Sequence, residues 1–156
     1  MNHGVKKIIS GGQTGADRAG LDAAIDLNMD YGGSIPKGRR TEDGTLPDRY
    51  GKIIELDTPN YPARTEKNVV DSDATVIFTY TEMGSGSVLT IELAKKHNKP
   101  YLHINLEDKR NGDAIREVSE WFDKVKPEVL NVAGSRESGA KGIYNRVYGI
   151  LKAVLK

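Results

Sequence analysis

The sequence predicts an α/β domain in which a mainly parallel sheet lies between helices, and three observations carry that reading. Short, nearly continuous apolar runs alternate with stretches of helical period along the chain. Strands of that kind are hydrophobic on both faces, as burial between two helical layers requires. Turns rich in glycine and hydroxyl residues follow three of the runs and lead directly into helices. No repeat, linker or low-complexity tract divides the chain, so residues 1–156 read as one domain.

The elements follow in order. Residues 5–9, Val-Lys-Lys-Ile-Ile, form a strand that breaks into Ser10-Gly11-Gly12-Gln13-Thr14-Gly15 before a helix from Asp17 to about Asn28. A strand-like segment at 31–35 is closed by Pro36, and 37–49 is a long polar stretch. Residues 52–56 are the next strand, and a helix runs from about 63 to 70. Strand 74–78, helix 88–97, strand 101–104, helix 113–124 and strand 129–133 then alternate. The final helix is the clearest, because Ile143, Val147, Ile150, Leu151, Val154 and Leu155 recur on one face. Ile115, Val118, Phe122 and Val125 form a similar stripe before Pro127, which assigns Trp121 and Phe122 to packing.

Composition removes several function classes. The chain has no cysteine, which excludes disulfides, thiolate catalysis and Cys-ligated zinc and suits a reducing compartment. His3, His97 and His103 have no paired ligand spacing, so no protein-built metal site is expected. The start carries no apolar signal region and no run reaches membrane-spanning length, giving the expectation of a cytoplasmic protein. A formal net charge of +1 gives no field that points to nucleic acid or membrane.

In a parallel sheet, ligands sit beyond the carboxyl ends of the strands. A glycine turn before a helix can offer backbone N–H groups and the positive end of the helix dipole to an anion. The first such loop supplies Gly11, Gly12, Gln13, Thr14, Gly15, Asp17 and Arg18, with Asp17 also placed to complement the dipole. The loop after 74–78 supplies Gly84, Ser85, Gly86, Ser87 and Thr90. The loop after 129–133 supplies Gly134, Ser135, Arg136, Glu137 and Ser138. Lys37, Gly38 and Arg39 add cations from the polar stretch, with arginine able to fork onto phosphate or carboxylate. Together these read as a phosphate-binding cradle. Arg64 and Asn68 lie four apart on one helix face, and Glu92 lies within an apolar helix where partial burial would perturb its carboxyl.

Five blocks carry a resemblance: 9–22 (ISGGQTGADRAGLD), 36–44 (PKGRRTEDG), 64–69 (RTEKNV), 72–75 (SDAT) and 130–138 (LNVAGSRES). They closely resemble the putative molybdenum carrier family, the circularly permuted YpsA branch of the SLOG superfamily. The resemblance spans nearly the whole chain. It implies a Rossmann-like α/β fold, often oligomeric, that binds a nucleotide-like or molybdenum-cofactor-like ligand at the glycine loops. The loop 132–144 resembles the chain start of unpermuted relatives. The LOG enzymes among those relatives hydrolyse the N-glycosidic bond of nucleotides with an Arg and a Glu near a P-G-G-x-G-T-x-x-E motif, and Arg64 and Glu92 are the similar positions here. Segment 84–92 lacks the leading proline and the Gly-Thr pair, and its spacing to the glutamate differs by one residue.

The expected function is therefore a carrier-type binding protein for a phosphorylated small molecule, either a nucleotide or the pterin-phosphate of molybdenum cofactor. The alternatives are a nucleotide N-glycosidase using Arg64 and Glu92, or a nucleotide-sensing regulatory module. A homodimer or higher homo-oligomer is expected from the resemblance and from Tyr144 and Tyr148, read as exposed on the last helix.

Overall fold

The structure is a computed structural model that describes residues 3–156. Strand β1 (Lys7–Ile9) leads through the glycine turn into α1 (Ala16–Asp26), and β2 (Asp30–Gly32) and β3 (Ser34–Ile35) follow. A small hairpin, β4 (Arg40–Thr41) and β5 (Gly44–Thr45), precedes β6 (Ile54–Glu55) and α2 (Tyr61–Val70). Then come β7 (Ala74–Thr79), α3 (Ser85–Lys96), β8 (Tyr101–Asn105), α4 (Asn111–Val125), β9 (Val129–Gly134) and α5 (Ile143–Leu155).

Five strands form one sheet in the order β2-β1-β9-β7-β8, every pair parallel. Strand β9, last in the chain, lies at the centre. Its register sets Leu130 beside Ile8 and Val132 beside Val76. Counted from β9 as the first strand, the order becomes 3-2-1-4-5, the doubly wound Rossmann arrangement. The topological switch point of such a sheet falls between its first and fourth strands, here β9 and β7.

Helices α1, α4 and α5 pack together on one face of the sheet, and α2 and α3 pack on the other. The stripe read on the final helix is fully inward, with Ile143, Val147, Ile150 and Leu151 at 0% exposure. A second, smaller cluster of Leu21, Ile35, Leu46, Tyr50 and Ile53 seats the segment around the hairpin.

Four readings change. The run 31–35 is cut at Gly33, whose φ of 127° turns the chain so that β3 leaves the main sheet and pairs with β6. The polar stretch contains the hairpin. Ser85, Gly86 and Ser87, read as loop, are the first turn of α3, which begins three residues earlier than expected. Tyr144 and Tyr148 are half-buried, and their hydroxyls donate to Asp22 and Asp26 on α1 at 2.5 Å each, so they join two helices of the same chain. Among the described residues no helix is long and apolar enough to cross a membrane.

Candidate functional site

A cleft of about 520 Å³ opens at the carboxyl ends of β9 and β7, at the switch point. Its floor is the end of β9, residues 131–134, continued by Ser135 and Arg136. Gly11, Gln13 and Asp17 come from the β1 to α1 connection, Arg64, Thr65 and Asn68 from α2, and Gly84 to Ser87 with Thr90 from α3. All three predicted loops therefore reach one cleft, but they play unequal parts.

The glycine turn after β1 is partly closed upon itself. The amide of Gly12 donates to Ser10 Oγ, that of Gln13 to Asp17 Oδ2, and that of Thr14 to Gln13 Oε1. Ala16 N–H donates to the Ser135 carbonyl and Arg18 N–H to the Gln13 carbonyl. Those donors are spent within the protein, whereas the amides of Gly11, Gly15 and Asp17 have no acceptor among the described residues. Gly15, at φ 81°, is the N-cap of α1, and a methyl there would lie 2.3 Å from the Ser135 carbonyl oxygen. That close approach ties the β1 loop to the β9 loop.

Arg18 is likewise occupied. It forks onto the Asp43 carboxylate at 2.9 and 3.3 Å and donates to the Gly12 carbonyl at 3.1 Å, pinning the hairpin to the glycine turn. Thr14 donates its hydroxyl to Glu42 of the same hairpin. Glu42 also accepts from the hydroxyl of Ser138 at 2.5 Å and its amide at 3.2 Å, while its own N–H donates to Gln13 Oε1 at 2.8 Å. Burial works to raise its carboxyl, yet these hydrogen bonds prevail and hold it below the usual glutamate range. Glu137 is a cap: its two carboxylate oxygens accept from the amides of Gly142 and Tyr144 at the start of α5.

Lys37, Gly38 and Arg39 lie away from the cleft. Lys37 and Gly38 line a separate depression with Pro59 and Tyr61, and Arg39 reaches toward the Ile53 carbonyl. Glu92 is exposed on α3 and outside the cleft, so the structure does not bring it together with Arg64.

The first turn of α3 is open. Its N-cap, Gly84, contributes no side-chain cap, its first turn holds no acidic residue, and the amides of Ser85 and Gly86 have no acceptor among the described residues. Beside it Ser135 Oγ is buried without a partner, and Arg136 forms no ion pair among the described residues. Donors and a cation thus line one cleft.

Arg64 and Asp17 form the other end. Arg64 Nη1 donates to the Gly11 carbonyl at 2.8 Å, and the guanidinium also lies 5.5 Å from the Tyr61 ring centroid. A methyl on Gly11 would lie 2.2 Å from Arg64 Nη1 and 3.0 Å from Asp17 Oδ2, so glycine is what lets these two side chains meet over the turn. Burial pushes the Asp17 carboxyl up to about 6, against the pull of Arg64, the Gln13 amide, Arg18 and Arg136. Burial also lowers Arg64, which Asp17 partly offsets. Asn68, on the same helix face, is used structurally, accepting from Ser34 N–H at 2.9 Å and donating to Ser34 O at 3.2 Å. The lining positions not singled out from the sequence are Thr65, Glu82, Met83, Gly139 and residues 131–133 of β9. Only the strand-end rule could have pointed to the last three.

Residues 8–155 match the circularly permutated YpsA SLOG family. A crystal structure from Syntrophus aciditrophicus SB, described as a putative molybdenum carrier protein, is 43% identical with a TM-score of 0.94, covering 98% of this chain and 96% of that one. Comparison with curated proteins finds no match.

Proposed function

Because the chain belongs to the circularly permutated YpsA family of SLOG proteins, we propose that it is a carrier-type binding protein for a phosphorylated small molecule. The candidate ligands are a nucleotide derivative and the pterin-phosphate of molybdenum cofactor. The observation that carries the reading is the open first turn of α3, where the Ser85 and Gly86 amides, the orphaned Ser135 hydroxyl and Arg136 face one cleft. Those groups suit a phosphate. The cleft supplies no carboxylate–histidine cage, and among the described residues no cluster of three or more His, Cys, Asp or Glu could hold a metal.

The test separates helix stability from binding. Ser85→Asp places a carboxylate where the ligand's anion would sit. It stabilises α3 by about 0.3–1 kcal/mol through the dipole and lowers affinity for a nucleoside monophosphate by about tenfold or more in isothermal titration. For the unmodified protein, ligand at 100 times its Kd adds about 2.7 kcal/mol, which raises Tm by on the order of 5 to 10 °C. Unchanged affinity in Ser85→Asp would remove the site from α3. Native mass spectrometry of the purified protein identifies whether a pterin or a nucleotide travels with it.

Self-association now rests on different residues, since the exposed large apolar side chains are Ile54, Tyr61, Val70 and Val88. Light scattering that returns a 17.1 kDa particle at high micromolar concentration would remove that expectation.

A further inference from the structure

From the pairing of Asp17 with Arg64 over Gly11, we propose that this end of the cleft reads a 2-amino-4-oxo heterocycle edge, the edge shared by guanine and pterin. The inference rests on the phosphate-binding reading above and names the base or ring system that the ligand carries.

Asp17 is a carboxylate set in the wall of the cleft without the partners a structural carboxylate has. Among the described residues its carboxylate accepts a single hydrogen bond, a long one of 3.4 Å from the Gln13 amide to Oδ2. It forms no ion pair among the described residues, although Arg64 lies beside it. The other carboxylates around the glycine turn are fully engaged: Asp43 by Arg18 and Thr41, Glu42 by Thr14 and Ser138, Glu137 by two amides. Asp17 therefore retains acceptor capacity facing the cleft, and burial makes its unpartnered charge costly.

Arg64 complements it. Its Nη1 is held by the Gly11 carbonyl, and Nε and Nη2 have no acceptor among the described residues. The wall thus offers a two-oxygen acceptor next to a donor. A ligand that satisfies both must present adjacent N–H donors followed by a carbonyl oxygen. The NH2, ring N–H and C=O of guanine and of pterin occur in that order along one edge. Adenine instead turns a ring-nitrogen acceptor toward the carboxylate, which leaves two lone pairs opposed and a buried acceptor without a donor. Arg64, Arg18 and Arg136 already place positive charge near Asp17, and neutral N–H donors complement its open oxygens.

The experiment measures binding of GMP, AMP and unsubstituted pterin to the full chain and to Asp17→Asn by isothermal titration at pH 8. The asparagine keeps the shape and presents an amide where a second acceptor stood. GMP is expected to bind at least about tenfold more tightly than AMP, with the preference falling to within about threefold in Asp17→Asn while AMP affinity holds. Pterin binding with no measurable response to GMP would assign the edge to a pterin, and GMP preference without pterin binding to a guanine nucleotide; either supports the edge reading. Equal GMP and AMP affinities, both weakened by Ser85→Asp, would overturn this inference and leave the phosphate site standing. If none of the three ligands binds, both readings fall. An undiminished GMP preference in Asp17→Asn, folded by circular dichroism, would also overturn the role of Asp17.

Discussion

Asp17 is the residue at which stability and binding pull apart. Its carboxyl is ordinarily near 3.8 and is pushed up to about 6 by burial, so between those values the native state holds more protons than the unfolded chain. Stability then falls as pH rises through that window and stays reduced above 6. Asp17→Asn removes the effect. The variant is expected to be more stable than the parent above pH 6 by on the order of 1 to 3 kcal/mol, with the gap closing toward pH 4. Urea denaturation at a series of pH values checks this, and a variant less stable than its parent at pH 8 would show the carboxylate to be a structural group. A residue that costs stability where it stands, in the wall of a cleft with open donors at its other end, is what a binding site looks like from the thermodynamic side.

The hairpin of β4 and β5 shows how an element of two-residue strands survives. Its ladder is too short to hold alone, and its tip is fixed by Glu42 on Thr14 and Ser138 and by Asp43 on Arg18. Both carboxylates are exposed, so solvent screening keeps each contact small. Glu42→Ala should lower global stability by no more than about 1 kcal/mol, yet speed amide exchange across 40–46 well above that of β7. Uniform exchange in parent and variant would mean that the ladder alone holds it. This element was hidden in the sequence because polar two-residue strands carry no periodicity, and its anchors lie as far as 96 residues away. The main strands were legible, since burial on both faces demands continuous apolar residues. The helix start at Ser85 was not, because glycine and serine read as loop until an apolar stripe begins at Val88. The same distance effect bears on the first glycine turn: the Ala16 amide that follows it finds the Ser135 carbonyl, more than a hundred residues on, while the amides of Gly11 and Gly15 have no acceptor among the described residues. The position of Glu92 could not be settled by counting residues from the glycines, since one step on a helix turns a side chain by about 100°.

For the whole molecule, the order β2-β1-β9-β7-β8 makes the chain's break point a matter of connectivity and not of packing. Joining residue 156 to residue 1 through a short flexible linker and opening the chain before β9 would restore the uninterrupted doubly wound order. Such a permutant is expected to fold with the same cleft and with a stability change of only about 1 to 2 kcal/mol, set by the altered loop closure. Loss of cooperative unfolding in the permutant would show that the break point itself contributes. The central place of β9 also governs how the protein comes into being. On the ribosome, β1 with β2 and β7 with β8 emerge as two separate pairs with no strand between them. The strand that joins them, and the floor of the binding cleft with it, is made only after all four. Folding of the sheet is thus deferred until β9 has emerged, through contacts distant in sequence and slow to close. A nascent chain cut short before β9 would expose two half-sheets whose bare inner edges invite pairing with other chains. Quality control in the cell would meet a chain lacking β9 as two open half-sheets.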